Sequence, residues 1–213
     1  EIVRLKYVKP RTVIPLLLAF RSERGRLDYS PDSRDGVITV SDLPENVSRI
    51  LAAIREVDVK PVDVLFTVQL VVGSDDEGRT DSELQSDPVI KELRSLLRFK
   101  KYFLLDSTMV RGLSGESAQV VMGKQADFEL GLRPEVTRDK PLDMIKVEVW
   151  LRQVVRAEAA AKTEALKAEA AARKQLLVST LNIRSGDRTV VGVSRLGGGD
   201  KGVILIISAK ATD

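Results

Sequence analysis

The chain has 213 residues, 31% charged and 4% aromatic, with no cysteine and no histidine. That length suits one large domain or two small ones, and disulfides, thiolate and imidazole metal sites, and Ser-His-Asp or Cys-His catalysis are excluded. Lys and Arg total 34 against 31 Asp and Glu, a small +3 excess scattered along the chain rather than gathered as a nucleic-acid footprint.

The densest basic cluster, Arg94, Arg98, Lys100 and Lys101, reads as a solvated helix end. No apolar run reaches the ~18 residues of a membrane-spanning helix. The sequence opens at Glu1 rather than Met, as a mature form or a piece of a longer chain would.

Residues Ile2–Val8 alternate apolar and polar, which predicts a half-buried strand. Thr12 then offers a helix cap, with Pro15 expected in the first turn, where a missing N–H costs little. Ser30–Gly36 is dense in turn formers, and Val37–Val40 reads as a strand. Ser41 and Asp42 offer a cap for a helix over Leu43–Val57, with Pro44 near its first position and Val47, Ile50, Leu51 and Ile54 at helical spacing. Val62–Val72 is a long strand with Val62, Val64, Phe66, Val68 and Leu70 on one face.

Gly73–Asp87 is polar and acidic and reads as a flexible linker. Asp87–Pro88 starts a helix carrying Ile90, Leu93, Leu96 and Leu97. Strand patterns follow at Tyr102–Arg111, Ala118–Met122, Phe128–Pro134 and Leu142–Val155. In the last of these, Trp150 falls on the otherwise polar face, as an exposed aromatic or an anchor in a subunit contact.

Arg156–Lys174 breaks the pattern: it is Ala-rich, pairs Glu158 with Lys162 and Glu169 with Arg173 at i, i+4, and predicts a long inserted helix with Leu166 as its one large apolar residue. It serves as a connecting helix, or as a projection packing weakly on neighbouring subunits. Strands resume at Leu176–Arg184, Thr189–Val193 and Val203–Ala209, separated by Gly-containing turns.

Catalytic motifs do not assemble. Leu196–Gly202 has a lysine, but Gly202 and a strand follow it, so the helix N-terminus of a phosphate loop is missing. Gly199-Asp200-Lys201-Gly202 matches the GxxG of KH domains but joins two strands where that loop joins helices. Asp75, Asp76 and Glu77 lack calcium-loop spacing and read as solvated. No cofactor, metal ion or small-molecule substrate is expected.

Two stretches together resemble the bacterial secretin family. The first is IVRLKYVKPRTVIPLLL with GVITVSDLPENVSRILAAIREVDVKP, in which Val40-Ser41-Asp42 and Val57-Asp58 match two Asp positions of the family's small ring-building module. The second begins with VDVLFTVQLV and continues through LRFKKYFLLDSTMVRGLSGESAQVVMG, FELGLRPEV, MIKVEVWL and SGDRTVVGVSRL to GVILIISA, in the order of the secretin core.

The resemblance implies an α+β fold: a KH-like βαββα ring-building module over residues 1–60, then a β-rich secretin-core-like domain over 61–213 with one long Ala-rich helix. It implies a non-enzymatic subunit of a homo-oligomeric ring or channel, in the periplasm or outer membrane of a Gram-negative secretion or type IV pilus machine. Its partners would be other copies of itself and further envelope components, and Trp150, Glu158, Lys162, Leu166 and Arg173 are the expected subunit contacts. The family's Val-Pro-x-Leu-Gly-x-x-Pro segment is missing after the Thr189–Val193 hairpin, and strands with aromatic girdles are not evident, which favours a ring that does not itself span the membrane. The alternative is a KH-like nucleic-acid-binding module, suggested by the element order and a pI near 9.1.

Overall fold

The computed structural model describes residues 1–29, 36–125, 127–138, 141–155, 172–196 and 200–212. The chain divides into two compact units, Glu1–Pro61 and Val62–Asp213.

The first unit contains strand β1 (Ile2–Arg4), helix α1 (Pro10–Leu17), strands β2 (Arg26–Tyr29) and β3 (Val37–Ser41), and helix α2 (Pro44–Val57). The three strands form an antiparallel sheet in the order β1-β3-β2. Both helices bury one stripe against it, and Leu5, Val13, Leu17, Ile38, Val40, Ile50 and Ile54 form the core.

Two local expectations are corrected here. The first strand ends at Arg4 rather than Val8 because the next backbone N–H groups are taken by the Asp58 carboxylate: Lys6, Tyr7 and Val8 donate to it at 2.7, 2.8 and 3.1 Å. Helix α1 starts at Pro10, with Lys9 rather than Thr12 at the N-cap. Pro10 suits the first position because that N–H has no intrahelical acceptor. Pro15 therefore lies inside the helix, where it removes the N–H that would bond the Arg11 carbonyl.

The second unit has three layers. Helices α3 (Ser82–Gln85) and α4 (Pro88–Leu96) cover part of one sheet, which packs face to face on another. The first sheet has the order β10-β11-β4-β5, from β4 (Asp63–Ser74), β5 (Lys101–Leu113), β10 (Arg188–Arg195) and β11 (Lys201–Thr212). The second has the order β6-β7-β8-β9, from β6 (Ala118–Met122), β7 (Phe128–Thr137), β8 (Met144–Val155) and β9 (Ala172–Arg184).

Period-two alternation sets the packing. Val64, Phe66, Val68 and Leu70 of β4 and Val203, Leu205 and Ile207 of β11 point at the second sheet. There they meet Leu130 and Leu132 of β7 and Ile145, Val147, Val149 and Leu151 of β8. On the far side of the first sheet, Val71, Tyr102, Ile204 and Ile206 pack under Leu84, Ile90 and Leu93. Strands β4 and β11 are thus buried on both faces over this half.

The polar stretch 73–87 is not a linker between bodies. It begins as the end of β4, where Ser74 is fully buried, and it later seals the start of the β5 edge. Asp81 N–H donates to the Tyr102 carbonyl at 3.0 Å, Tyr102 N–H donates to Thr80 Oγ1 at 3.1 Å, and Leu104 N–H donates to the Asp81 carboxylate at 2.9 Å. Asp76, in the same stretch, accepts from the Ser74 hydroxyl and sits 3.8 and 3.7 Å from the Lys101 and Lys201 ammoniums.

Of the expected Ala-rich helix, residues 156–171 lie outside the described residues. Its last part, Ala172–Lys174, is strand rather than helix, held in register by Val155↔Ala172, Val154↔Arg173 and Gln153↔Lys174.

Candidate assembly surfaces

The two aspartates that carried the resemblance act as anchors for loops of the first unit. Asp58, directly after α2, binds the N–H groups of Lys6, Tyr7 and Val8 and so fixes the path from β1 into α1. Desolvation pushes its pKa up, but these three donors and the Lys6 charge outweigh that and leave it below the usual carboxylate value.

Asp42, just before α2, accepts from the Ser22 hydroxyl at 2.6 Å, the Ser22 N–H at 2.8 Å, the Leu43 N–H at 2.7 Å and the Asn46 amide at 3.2 Å. The Ser22 hydroxyl leads in holding its carboxyl far below the usual range, against an opposing desolvation. Gly25 lies so close that a Cβ there would overlap the Asp42 carboxylate. Helix α2 is therefore pinned at both ends to the loops flanking α1. The expected cap at Asp42 is displaced by one residue: Leu43 is the N-cap and Pro44 occupies the first turn.

In the second unit, neighbouring strands of each sheet are all antiparallel. With four strands per sheet, the two end strands of a sheet run in opposite directions. One sheet ends in β10 and β5, the other in β6 and β9. Beside β10 an open groove of about 410 Å³ runs along α4, lined by Val89, Leu93, Leu96, Leu97, Val190 and Val193. Leu96 is 71% exposed and Val193 39%. Arg188 ties β10 to this helix by donating to Asp87 at 2.7 Å and to the Gln69 side chain. Asp87 is also the α4 N-cap, accepting from the Val89 and Ile90 N–H groups.

The outer face of the β6–β9 sheet carries Trp150. Its register partners are Gly131 on β7 and Val178 on β9. The indole lies over Gly131, where a Cβ would collide with the ring, and the Arg152 guanidinium stacks 4.5 Å from the ring centroid. Charged pairs flank it on the same face: Lys146–Glu135 at 3.2 Å, Arg133–Glu148 at 3.9 Å and Arg173–Glu129 at 3.0 Å.

Of the expected contact residues, Trp150 and Arg173 thus share this face. Trp150 has intramolecular partners, and Arg173 pairs with Glu129 from a strand rather than with Glu169 along a helix. Glu158, Lys162 and Leu166 lie outside the described residues. Sequence reasoning missed the α4–β10 groove, whose walls are far apart in the chain. Its one visible signal was the apolar spacing of Ile90, Leu93, Leu96 and Leu97, which supplies more apolar positions than one buried stripe uses.

Among the described residues, no group of three or more acidic side chains is placed to hold a metal ion, and no helix is long and apolar enough to cross a membrane. The GxxG residues Lys201 and Gly202 open strand β11, in the β10–β11 hairpin.

Residues 1–62 match the Secretin_N family model, the bacterial type II/III secretion system short domain. No curated protein matches by sequence. Solved structures match along the whole chain. The Klebsiella pneumoniae type II secretion system outer membrane complex with PulD, PulS and the PulC HR domain has 11% identity and a TM-score of 0.58, with 100% of this chain and 50% of that chain covered. The type II secretin GspD of E. coli K12 has 10% identity and a TM-score of 0.61, covering 100% and 62%. The V. cholerae type IV competence pilus secretin PilQ has 13% identity and a TM-score of 0.59, covering 100% and 76%. The chain therefore spans half to three quarters of the length of these chains. Its first unit thus matches the Secretin_N model, and the chain as a whole has the fold of the bacterial secretins.

Proposed function

We propose that the chain is a structural, non-enzymatic subunit of a homo-oligomeric secretin-like ring in a bacterial envelope secretion or type IV pilus machine, at the periplasm or outer membrane. The Secretin_N match over residues 1–62 carries this reading, and the secretin fold along the rest of the chain supports it.

The sheet topology supplies a mechanism for closure. Because the end strands of each sheet run oppositely, the open part of β5 in one subunit meets β10 of the next as an antiparallel pair, and β6 meets β9 in the same way. Such a contact joins two different surfaces of the same chain, and head-to-tail contacts of this kind close into a ring where the rotation between successive subunits completes a full turn. Satisfying the free N–H and C=O groups of four edge strands per subunit supplies the drive that an exposed edge otherwise spends on aggregation. Arg173, on edge strand β9, stands at this proposed seam, while Trp150 lies on the sheet face.

Within the first unit, Asp42 and Asp58 hold the loops in one conformation, which suits a rigid building module. The GxxG residues Lys201 and Gly202 lie in a strand hairpin of the second unit rather than between helices of this one, so a nucleic-acid role gains no support. Multi-angle light scattering of the purified chain tests the proposal: a single species of many subunits is expected, and a monomer at high protein concentration overturns it.

A further inference from the structure

The two edge strands of the first sheet are open over different halves of that sheet. The β10 ladder runs from Arg188, on the rung of Thr67, to Arg195, on the rung of Gly73. At the opposite edge, Thr80 and Asp81 seal β5 over Tyr102–Leu104. Its remaining length runs from Asp106, on the rung of Leu70, to Leu113, on the rung of Asp63. Joined level, the open edges of neighbouring copies would overlap only between the rungs of Thr67 and Leu70.

A shift of about four residues along the strand brings all of β10 against the open length of β5, and an even shift keeps each core-facing row on the core side. In that register Met109 stands opposite Val193 of the next copy, and Arg111 stands opposite Val190. Met109 is 70% exposed, and Val193 and the 71% exposed Leu96 form the open apolar wall of the α4–β10 groove. Arg111 arrives beside Glu92, which lines the same groove. Among the described residues, neither Arg111 nor Glu92 has an ion-pair partner within its own chain. In the level register Met109 would instead face Arg188, which is already held by Asp87 and Gln69.

Closure favours the same stagger. A shift of about four residues for the four strands of this sheet is about one residue per strand. That is the ratio of an eight-stranded barrel of shear eight, whose strands tilt about 36°. A level join leaves the strands untilted, outside the range of about 35–45° that closed barrels adopt.

We infer that neighbouring copies join β5 to β10 in this staggered register, with Met109 of one copy seated in the α4–β10 groove of the next. The inference rests on the ring reading and its β5–β10 contact, and adds the register and the occupant of the groove.

The chain has no cysteine, so paired thiols can be introduced without background. Opposed residues on antiparallel strands have Cα atoms about 4.5–5.5 Å apart, inside the span of a disulfide. Two pairs are opposed in the staggered register: Ser107→Cys with Arg195→Cys at exposed positions, and Thr108→Cys with Ser194→Cys on the inward row. Thr108→Cys with Thr189→Cys is opposed in the level one. Each full-chain variant is sized by light scattering under reducing conditions, then oxidised and run on a denaturing gel without reductant.

Expected is a ladder of disulfide-linked multimers from the staggered pairs, lost on adding reductant, and no ladder from the level pair or from any single cysteine. Adding Met109→Asp to a staggered pair should cut the multimer yield about tenfold, because a carboxylate would then be buried against Val193 and Leu96. An assembled protein that ladders through the level pair, or through neither staggered pair, overturns the inference and leaves the ring reading standing. An unchanged yield with Met109→Asp overturns the seating of Met109. A protein that is monomeric when reduced and gives no ladder overturns the ring reading, and this seam with it.

Discussion

Asp58 gives the sharpest test of how the first unit is held together. Its two oxygens divide the work: Oδ2 accepts from Lys6 N–H, and Oδ1 accepts from both Tyr7 and Val8. Asp58→Ala removes all three acceptors. A hydrogen bond to a charged group contributes roughly 1.5–3 kcal/mol net when buried. Here the N–H groups are exposed or half-exposed, so water takes over part of each bond and the total loss comes to about 2–3 kcal/mol.

Asp58→Asn separates charge from geometry. The amide oxygen can keep Tyr7 and Val8, but its NH₂ then faces the Lys6 N–H donor. The expected loss is about 1–2 kcal/mol, between wild type and Ala. Native-state hydrogen exchange on the full chain reads this at Val40, whose N–H is bonded to the Glu1 carbonyl inside the same unit. Local exchange at Tyr7 and Val8 should rise further. The reasoning is refuted if Ala costs less than about 0.5 kcal/mol, or if Asn costs more than Ala.

Four further outcomes follow from the same geometry. Asp42 and Asp58 both titrate below the ordinary carboxylate value, so the unfolded chain binds more protons in acid: stability of the first unit should be fully present above about pH 5 and fall as pH drops through their lowered values, as acid titration by circular dichroism would register. Tyr102 is fully buried with an unpartnered hydroxyl, and Tyr102→Phe should raise the stability of the second unit by about 1 kcal/mol in urea unfolding. Gly131→Ala should cost about 1–3 kcal/mol and change Trp150 emission, because the new methyl enters the indole's place. Arg173→Ala should change monomer stability by less than about 0.5 kcal/mol, since its pair with Glu129 is solvent-exposed.

The strands of the second unit were legible because each buries one face against the other sheet, so alternation survives in the sequence from Val64 to Leu70 and from Ile145 to Leu151. The α2 helix was legible for the same reason at helical spacing, through Ile50 and Ile54. Errors came where partners distant in sequence override local pattern. Residues 6–8 alternate like a strand, but Asp58, some fifty positions away, takes their N–H groups. Residues 73–87 look like a solvated linker, yet Ser74, Thr80 and Leu84 are buried, and two hydroxyl and carboxylate acceptors replace a neighbouring strand. Ala172–Lys174 have strong helix propensity and are strand, because the β8 ladder extends to Val155 and pairs with them.

The assembly surfaces were less legible than the fold. Trp150 stood out as an aromatic on a polar face, but nothing in its own strand announces that Gly131 across the ladder makes room for it. The Asp42 and Asp58 positions were visible as motif letters only. Their roles depend on backbone N–H groups, which every residue carries and no residue type marks.

Negative-stain imaging of the purified chain tests the ring account most directly. The account predicts closed rings of one symmetry, without detergent. Uniform single-subunit particles at high protein concentration would contradict it.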